Sequence, residues 1–342
     1  MEPDPNGDVL LECKDQNSDT LTTFRVSSKV LQLASPVFTG MFGPHFREGQ
    51  LLQQGENPVI RLEEDDASSM SIIFDILHFR GGGKNDEMDA ERLARLAIHC
   101  DKYDLAKALG PWVSVWFENV KKTMEPSEEL GFMLLAAHLF DNCGEFQEMS
   151  EMALKILPLG FEEEWESQEL LALLPMGIQD AITIRVKRTL DNLQMELQNV
   201  ELSLRYSIRG YEIPQRMCML CGRTLPEVAK KCHPCYNSDL LVKYCTSETR
   251  IAEYFAILRK VELWPTVQPF GNSSVADIVS RIARAQSDLK HDCTADSSCP
   301  LIVHMDTLTG KARRIEKGII GLCLRCIKES DGWEDSQRCN HL

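Results

Sequence analysis

Ten of the chain's 13 cysteines fall in the last 132 of its 342 positions, and six of those ten form three C-x2-C pairs: Cys218/Cys221, Cys232/Cys235 and Cys323/Cys326. Ten cysteines scattered over that length would give about 0.8 such pairs, so the spacing reflects chemistry. A two-residue gap turns two thiolates towards one cation at about 2.3 Å, and a tetrahedral ion needs two such pairs, or one pair with two more Cys or His ligands. Cys218, Cys221, Cys232 and Cys235 complete C-x2-C-x10-C-x2-C, a local four-ligand set for structural zinc. A second set, C-x2-C-x12-C-x-H, is offered by Cys323, Cys326, Cys339 and His341. His291, Cys293 and Cys299 compete for that second site, and Cys245 competes for the first. One or two zinc ions are therefore expected to support the fold of residues 211–342.

Charge limits what this region can bind. The whole chain carries 37 Lys and Arg against 52 Asp and Glu, a formal charge of −15. Residues 1–120 contribute −9, residues 121–210 contribute −8, and residues 211–342 contribute +2. Thiolate ligands remove even that small surplus, because a four-cysteine zinc site nets about −2 and a Cys3His site about −1. A phosphate-coating surface is thus disfavoured, and nucleic acid is not expected as a partner.

Hydrophobic residues make up 43% and charged residues 26%, the balance of a folded globular chain. The start MEPDPNGDVLLECKD has no basic stretch followed by an apolar run, and no stretch of about 18 apolar residues occurs, so no membrane contact is expected. The expected location is inside the cell, in cytoplasm or nucleus, where cysteines stay reduced.

The N-terminal third reads as α+β. Val9 to Leu11 and Leu21 to Val26 have strand composition, Ser27-Ser28 precedes the apolar positions Val30, Leu31 and Leu33, and Ser35-Pro36 sets a capping residue before a first-turn proline. A further strand over 58–62 precedes two amphipathic helices, one presenting Met70, Ile73, Phe74 and Leu77, the other Leu93, Leu96, Ala97 and Cys100. His99, Cys100, His138 and Cys143 sit in apolar helical surroundings and are expected to be structural. Gly81-Gly82-Gly83-Lys84 lacks the spacing of a phosphate-binding loop, and neither G-x-S-x-G nor H-E-x-x-H is present. No catalytic residue is assigned, and the chain is expected not to be an enzyme.

The stretch FRVSSKVLQLASPVFTGMFGPHFREG, together with Asp8-Val9-Leu10 before it and LARLAIHCDKYDLAKAL after it, resembles the BTB/POZ domain family over about residues 7–110. Ser27 departs from the family pattern, which has His there. The resemblance implies a BTB/POZ fold in residues 1–120, self-association into a homodimer through an apolar face near the first helix, and capture of protein partners. In many members that partner is a cullin ubiquitin-ligase scaffold. The matching contact segment here is Phe42 to Glu48, with Phe46 as the apolar anchor, Glu48 as its polar companion and Phe42 beside them. The chain as a whole is expected to be a protein-interaction module, in its finer form a substrate adaptor of a cullin ubiquitin ligase; the alternative is a transcriptional regulator touching nucleic acid through its Cys-rich region.

Residues 121–210 read as a helical extension that resembles the segment after the domain in fungal BTB proteins. Ile178, Ile182, Val186, Leu190, Leu193, Leu197, Val200 and Leu204 step by 4 or 3, predicting a helix of about 27 residues. It is expected to pack on the chain's own domains, with an intermolecular coiled coil as the alternative.

Overall fold

Alternating burial of Val9, Leu11 and Cys13 sets the face on which the first sheet is built. In the computed structural model, which describes residues 1–14, 20–80, 88–206, 212–265 and 270–329, these residues lie in β1 (Val9–Lys14), antiparallel to β2 (Leu21–Val26) with Leu11 opposite Phe24. Three short helices follow, α1 (Ser28–Ala34), α2 (Pro36–Met41) and α3 (Arg47–Gln53). The chain then returns as β3 (Val59–Asp66), parallel to β1, so the sheet order is β2-β1-β3. Gly81 to Lys84 lie outside the described residues.

Side-chain caps fix where the helices begin. Ser35 Oγ accepts from Phe38 N–H at 3.0 Å at the start of α2, as the Ser-Pro pair predicts. Asp66 accepts from Ser69 N–H at 2.8 Å to open α4 (Ala67–Leu77), and Asp89 from Arg92 N–H at 2.7 Å to open α5 (Ala90–Lys102). Asp8 accepts from both the N–H and the hydroxyl of Ser28 at 2.7 Å, tying the head of β1 to α1. Beside it, Ser27 N–H donates to Nε2 of His78, the C-cap residue of α4, at 3.0 Å. The core between sheet and helices is aromatic: Phe24 meets Phe74 edge-on at 5.3 Å, and Phe38 stacks on Tyr103 at 4.5 Å.

A long α6 (Ala106–Thr123) is followed by α7 (Pro126–Leu139) and α8 (Cys143–Ile156). Leu130 and Met133 to Ala137 are all buried, because α7 lies along α5 while other residues cover its remaining sides. After the short α9 (Phe161–Glu166) comes α10 (Met176–Tyr206), 31 residues long. All eight apolar positions predicted for this helix are buried within the single chain, as the self-packing reading expects.

The Cys-rich part opens with β4 (Ile213–Cys218), β5 (Thr224–Pro226) and β6 (Leu240–Cys245), an antiparallel sheet in the order β5-β4-β6. Helices α11 (Ser247–Lys260), α12 (Val275–Asp288), α13 (Pro300–Lys317) and α14 (Leu324–Glu329) complete the described chain. Two compact units result. One comprises Met1–Ala153, Glu163–Gln179 and the chain from Gly321; the other comprises Leu154–Glu162 and Asp180–Ile320. This division cuts across the three consecutive segments 1–120, 121–210 and 211–342 expected from sequence. The physical reason is that α7 and α8 share the core of the first unit, and the chain returns to them. Leu322 N–H donates to the buried Ser150 Oγ at 2.7 Å, and Lys328 pairs with Asp141 at 2.7 Å.

Candidate metal centres

Two turns of the same build create the first centre. Cys218 ends β4, Cys221 lies in the turn that follows, and Cys232 and Cys235 lie in a second turn before β6. In each turn the first cysteine's N–H donates five residues ahead, Cys218 to Arg223 O at 3.0 Å and Cys232 to Asn237 O at 2.8 Å. Directly after the second cysteine the backbone is left-handed, at Gly222 with φ +69° and at Tyr236 with φ +57°. The turns point their sulfurs at one another. Cys218 and Cys235 are 3.4 Å apart, Cys221 and Cys232 3.6 Å, Cys221 and Cys235 3.7 Å, and all four lie within 4.8 Å. A tetrahedral cation at about 2.3 Å from four thiolates requires sulfur–sulfur edges of about 3.8 Å, so the cradle fits a zinc-sized ion.

Electrostatics favour a cation in this cradle. Backbone N–H groups of Cys221 and then Leu220 aim at Cys218 and pull its thiol down to about 6, with Asn237 Nδ2 a further 3.6 Å donor. Burial and hydrogen bonds from Cys235 and Cys221 push Cys232 up to about 12. Charge placed on Cys218 thus meets resistance at Cys232. A dication removes that resistance.

The second centre joins residues distant in sequence. Cys245 ends β6, His291 and Cys293 lie between α12 and α13, and Cys299 is the N-cap residue of α13. His291 Nε2 is 3.1 Å from Cys299 Sγ and 3.6 Å from Cys245 Sγ, and the four ligand atoms lie within 4.8 Å of one another. The segment that carries three of them is pinned to the sheet: Thr294 N–H donates to the buried Gln215 Oε1 at 3.1 Å, and Thr224 Oγ1 donates to Asp292. Hydrogen bonding with Cys245 and with His291 draws the Cys299 thiol down to about 3, while His291, bonded to Cys299 and to Glu253, rises to about 9 and Cys245 is pushed up. A thiolate beside an imidazolium is also the arrangement of a nucleophilic cysteine. Cys299 is 0% exposed, however, and a sealed sulfur gives a substrate no approach. Ligation is the chemistry this burial permits.

Of the residues predicted from sequence, Cys218, Cys221, Cys232 and Cys235 come together as expected. The second expected set lies partly outside the described residues: Cys323 is buried and Cys326 half-buried at the start of α14, in the first unit, while Cys339 and His341 are not among the residues described. Cys245, His291, Cys293 and Cys299, the competing ligands, form a second cluster among the described residues. Phe42, expected among partner contacts, is 5% exposed and stacks on Phe38 at 5.7 Å, so it belongs to the core. Phe46 is 54% exposed just ahead of α3, and Glu48 is half-buried in the first turn of that helix. No helix among the described residues is long and apolar enough to cross a membrane. Comparison with models of known protein families and with curated proteins returned no match.

Proposed function

We propose that the chain is a non-enzymatic protein-interaction module, in which a BTB/POZ-type N-terminal unit self-associates and recruits proteins while two structural zinc ions hold the Cys-rich unit. The observation that carries the interaction half is an apolar cleft of about 490 Å³ beside α1, lined by Val30, Leu33, Ile76, Leu77, Phe79 and Trp112. Leu33 is 90% and Phe79 95% exposed at this cleft, and Phe79 is held out at a left-handed φ of +59°. Two bare apolar side chains at the rim of an apolar cleft are a surface suited to a protein partner. Its place next to the first helix agrees with the self-association that the family resemblance implies.

Zinc is the metal of this reading, because seven thiolates and one imidazole are the sulfur and nitrogen donors it takes in closed four-coordinate sets. A cullin scaffold is a candidate partner through Phe46 and Glu48. The nucleic-acid reading is weaker, since zinc-bound thiolates leave residues 211–342 without a positive surplus.

Sedimentation of the full chain at micromolar concentration tests the interaction reading. A dimer is expected for wild type, and Leu33→Glu is expected to give a monomer with an unchanged melting temperature. A monomeric wild type at high micromolar concentration, or a Leu33→Glu dimer of wild-type affinity, would count against self-association through this face.

A further inference from the structure

We infer that Glu253 is the positioning carboxylate of the second metal centre, accepting the Nδ1 proton of His291 so that Nε2 is left bare for the cation. The inference rests on the zinc reading of Cys245, His291, Cys293 and Cys299.

An imidazole that ligates through one nitrogen must carry its proton on the other. In His291 the two nitrogens face different groups: Nε2 looks at the sulfurs of Cys299 and Cys245, and Nδ1 lies 2.5 Å from Glu253 Oε2. The His291 side chain is 3% exposed, so water does not serve Nδ1 and a protein acceptor is needed. The Glu253 side chain is 43% exposed and points one oxygen inward at the ring. A carboxylate behind a ligating imidazole fixes the ring's tautomer and rotation and strengthens its donor nitrogen.

Local structure explains how Glu253 arrives there. Cys245 ends β6, and Thr246 starts α11 with a reciprocal cap: Thr249 N–H donates to Thr246 Oγ1 at 3.3 Å and Thr246 N–H to Thr249 Oγ1 at 2.9 Å. That cap fixes the rotation of α11 relative to the strand end, and two turns later the helix presents Glu253 back over the ligand that ended the strand. The first centre has no counterpart among the described residues; its sulfurs take N–H donors from the backbone and Asn237.

The test uses the full chain loaded with two zinc ions, titrated with a competing chelator, and ¹⁵N-labelled histidine spectra of the same samples. Wild type is expected to show His291 protonated at Nδ1 and metallated at Nε2. Glu253→Ala is expected to weaken the second zinc by about 10- to 100-fold and leave the first unchanged. Glu253→Gln, whose amide oxygen still accepts, is expected to keep the tautomer and lose less affinity than Glu253→Ala. His291 metallated at Nδ1 in wild type, or Glu253→Ala holding both ions as tightly as wild type, would overturn the role of Glu253. Wild type that binds one zinc ion and gives it up on Cys221→Ser would instead overturn the second centre itself.

Discussion

Gly222 and Tyr236 occupy the same place in two successive turns, each the residue after a second ligand cysteine and each with left-handed backbone, φ +69° and +57°. Only glycine adopts that conformation without cost, and an L side chain there gives up about 1–2 kcal/mol. Tyr236 tolerates it because the turn closes on Cys232 N–H, and Lys231 lies over its ring at 5.7 Å. A Cβ on Gly222 meets nothing within 4 Å, so the cost of Gly222→Ala is purely one of backbone. Gly222→Ala is expected to destabilise the second unit by about 1 kcal/mol, and Tyr236→Gly to leave it unchanged or slightly more stable. Paired thermal melts of the zinc-loaded variants check the contrast; equal losses would remove the turn argument.

The two centres are expected to differ in what they hold. The first clips two turns to a sheet, whereas the second fastens the end of β6 to the start of α13. Cys221→Ser should release one zinc ion with little change in far-UV circular dichroism. Cys299→Ser should release one ion and also lose helix signal, as α11 and α13 come away from the sheet. A structural zinc site contributes roughly 10 kcal/mol or more, so the second variant should no longer melt cooperatively in this unit. Identical spectra for both variants would contradict the assignment.

A buried carboxylate makes the first unit acid-sensitive. Asp65 lies under the β3 end of the sheet, receiving Tyr103 Oη–H and, at 2.7 Å, Lys102 Nζ, with His99 Nδ1 at 3.4 Å. Burial alone pushes its carboxyl up, but the His99 imidazole beside it and hydrogen bonds from Lys102 and Tyr103 outweigh that and hold it below its ordinary value. Asp66 is lowered as well, burial again being outweighed, there by Ser68 and Ser69. A lowered folded pKa stabilises the fold fully above the unfolded value of about 4, and the benefit disappears as pH falls through the folded value. Melting of this unit should therefore drop steeply below about pH 4. Asp65→Asn should cost about 3 kcal/mol at pH 7, the low end for a broken buried pair because Lys102 remains 43% exposed, and should flatten the acid limb. An unchanged acid limb in Asp65→Asn would show that other groups govern it.

Much of this architecture is readable from local pattern. The strand at Val9 to Leu11, the Ser35-Pro36 cap and the buried stripe of α10 depend on neighbours in sequence, and each forms as expected. The first candidate metal centre is legible for the same reason, since its four cysteines fall within two adjacent turns. The second is not: Cys245 and His291 are 46 residues apart, and tertiary links such as the pairing of β6 with β4 and the Gln215–Thr294 and Thr224–Asp292 hydrogen bonds bring them together. Pair spacing instead favours Cys323 and Cys326, whose backbone belongs to the other unit. Likewise Phe42 and Phe46 look alike in sequence, and it is the direction of the α2 end that buries one and exposes the other.

Phe46→Ala is the sharpest probe of the proposed cullin contact. An exposed aromatic anchor buried on binding is worth roughly 2 kcal/mol or more, about thirtyfold in affinity, and its removal should leave the melting temperature nearly unchanged. Glu48→Ala should cost less, because its carboxylate keeps access to water. Recovery of a cullin scaffold in pull-downs with wild type and both variants checks this, and equal recovery with Phe46→Ala would exclude the segment as the contact.

Zinc content of the freshly purified full chain, measured by elemental analysis against protein concentration, bears most directly on the whole account. Two closed four-ligand centres predict two equivalents that survive dialysis against metal-free buffer. Less than about half an equivalent would contradict it, leaving two clusters of reduced thiols where structural metal is expected to be fully bound.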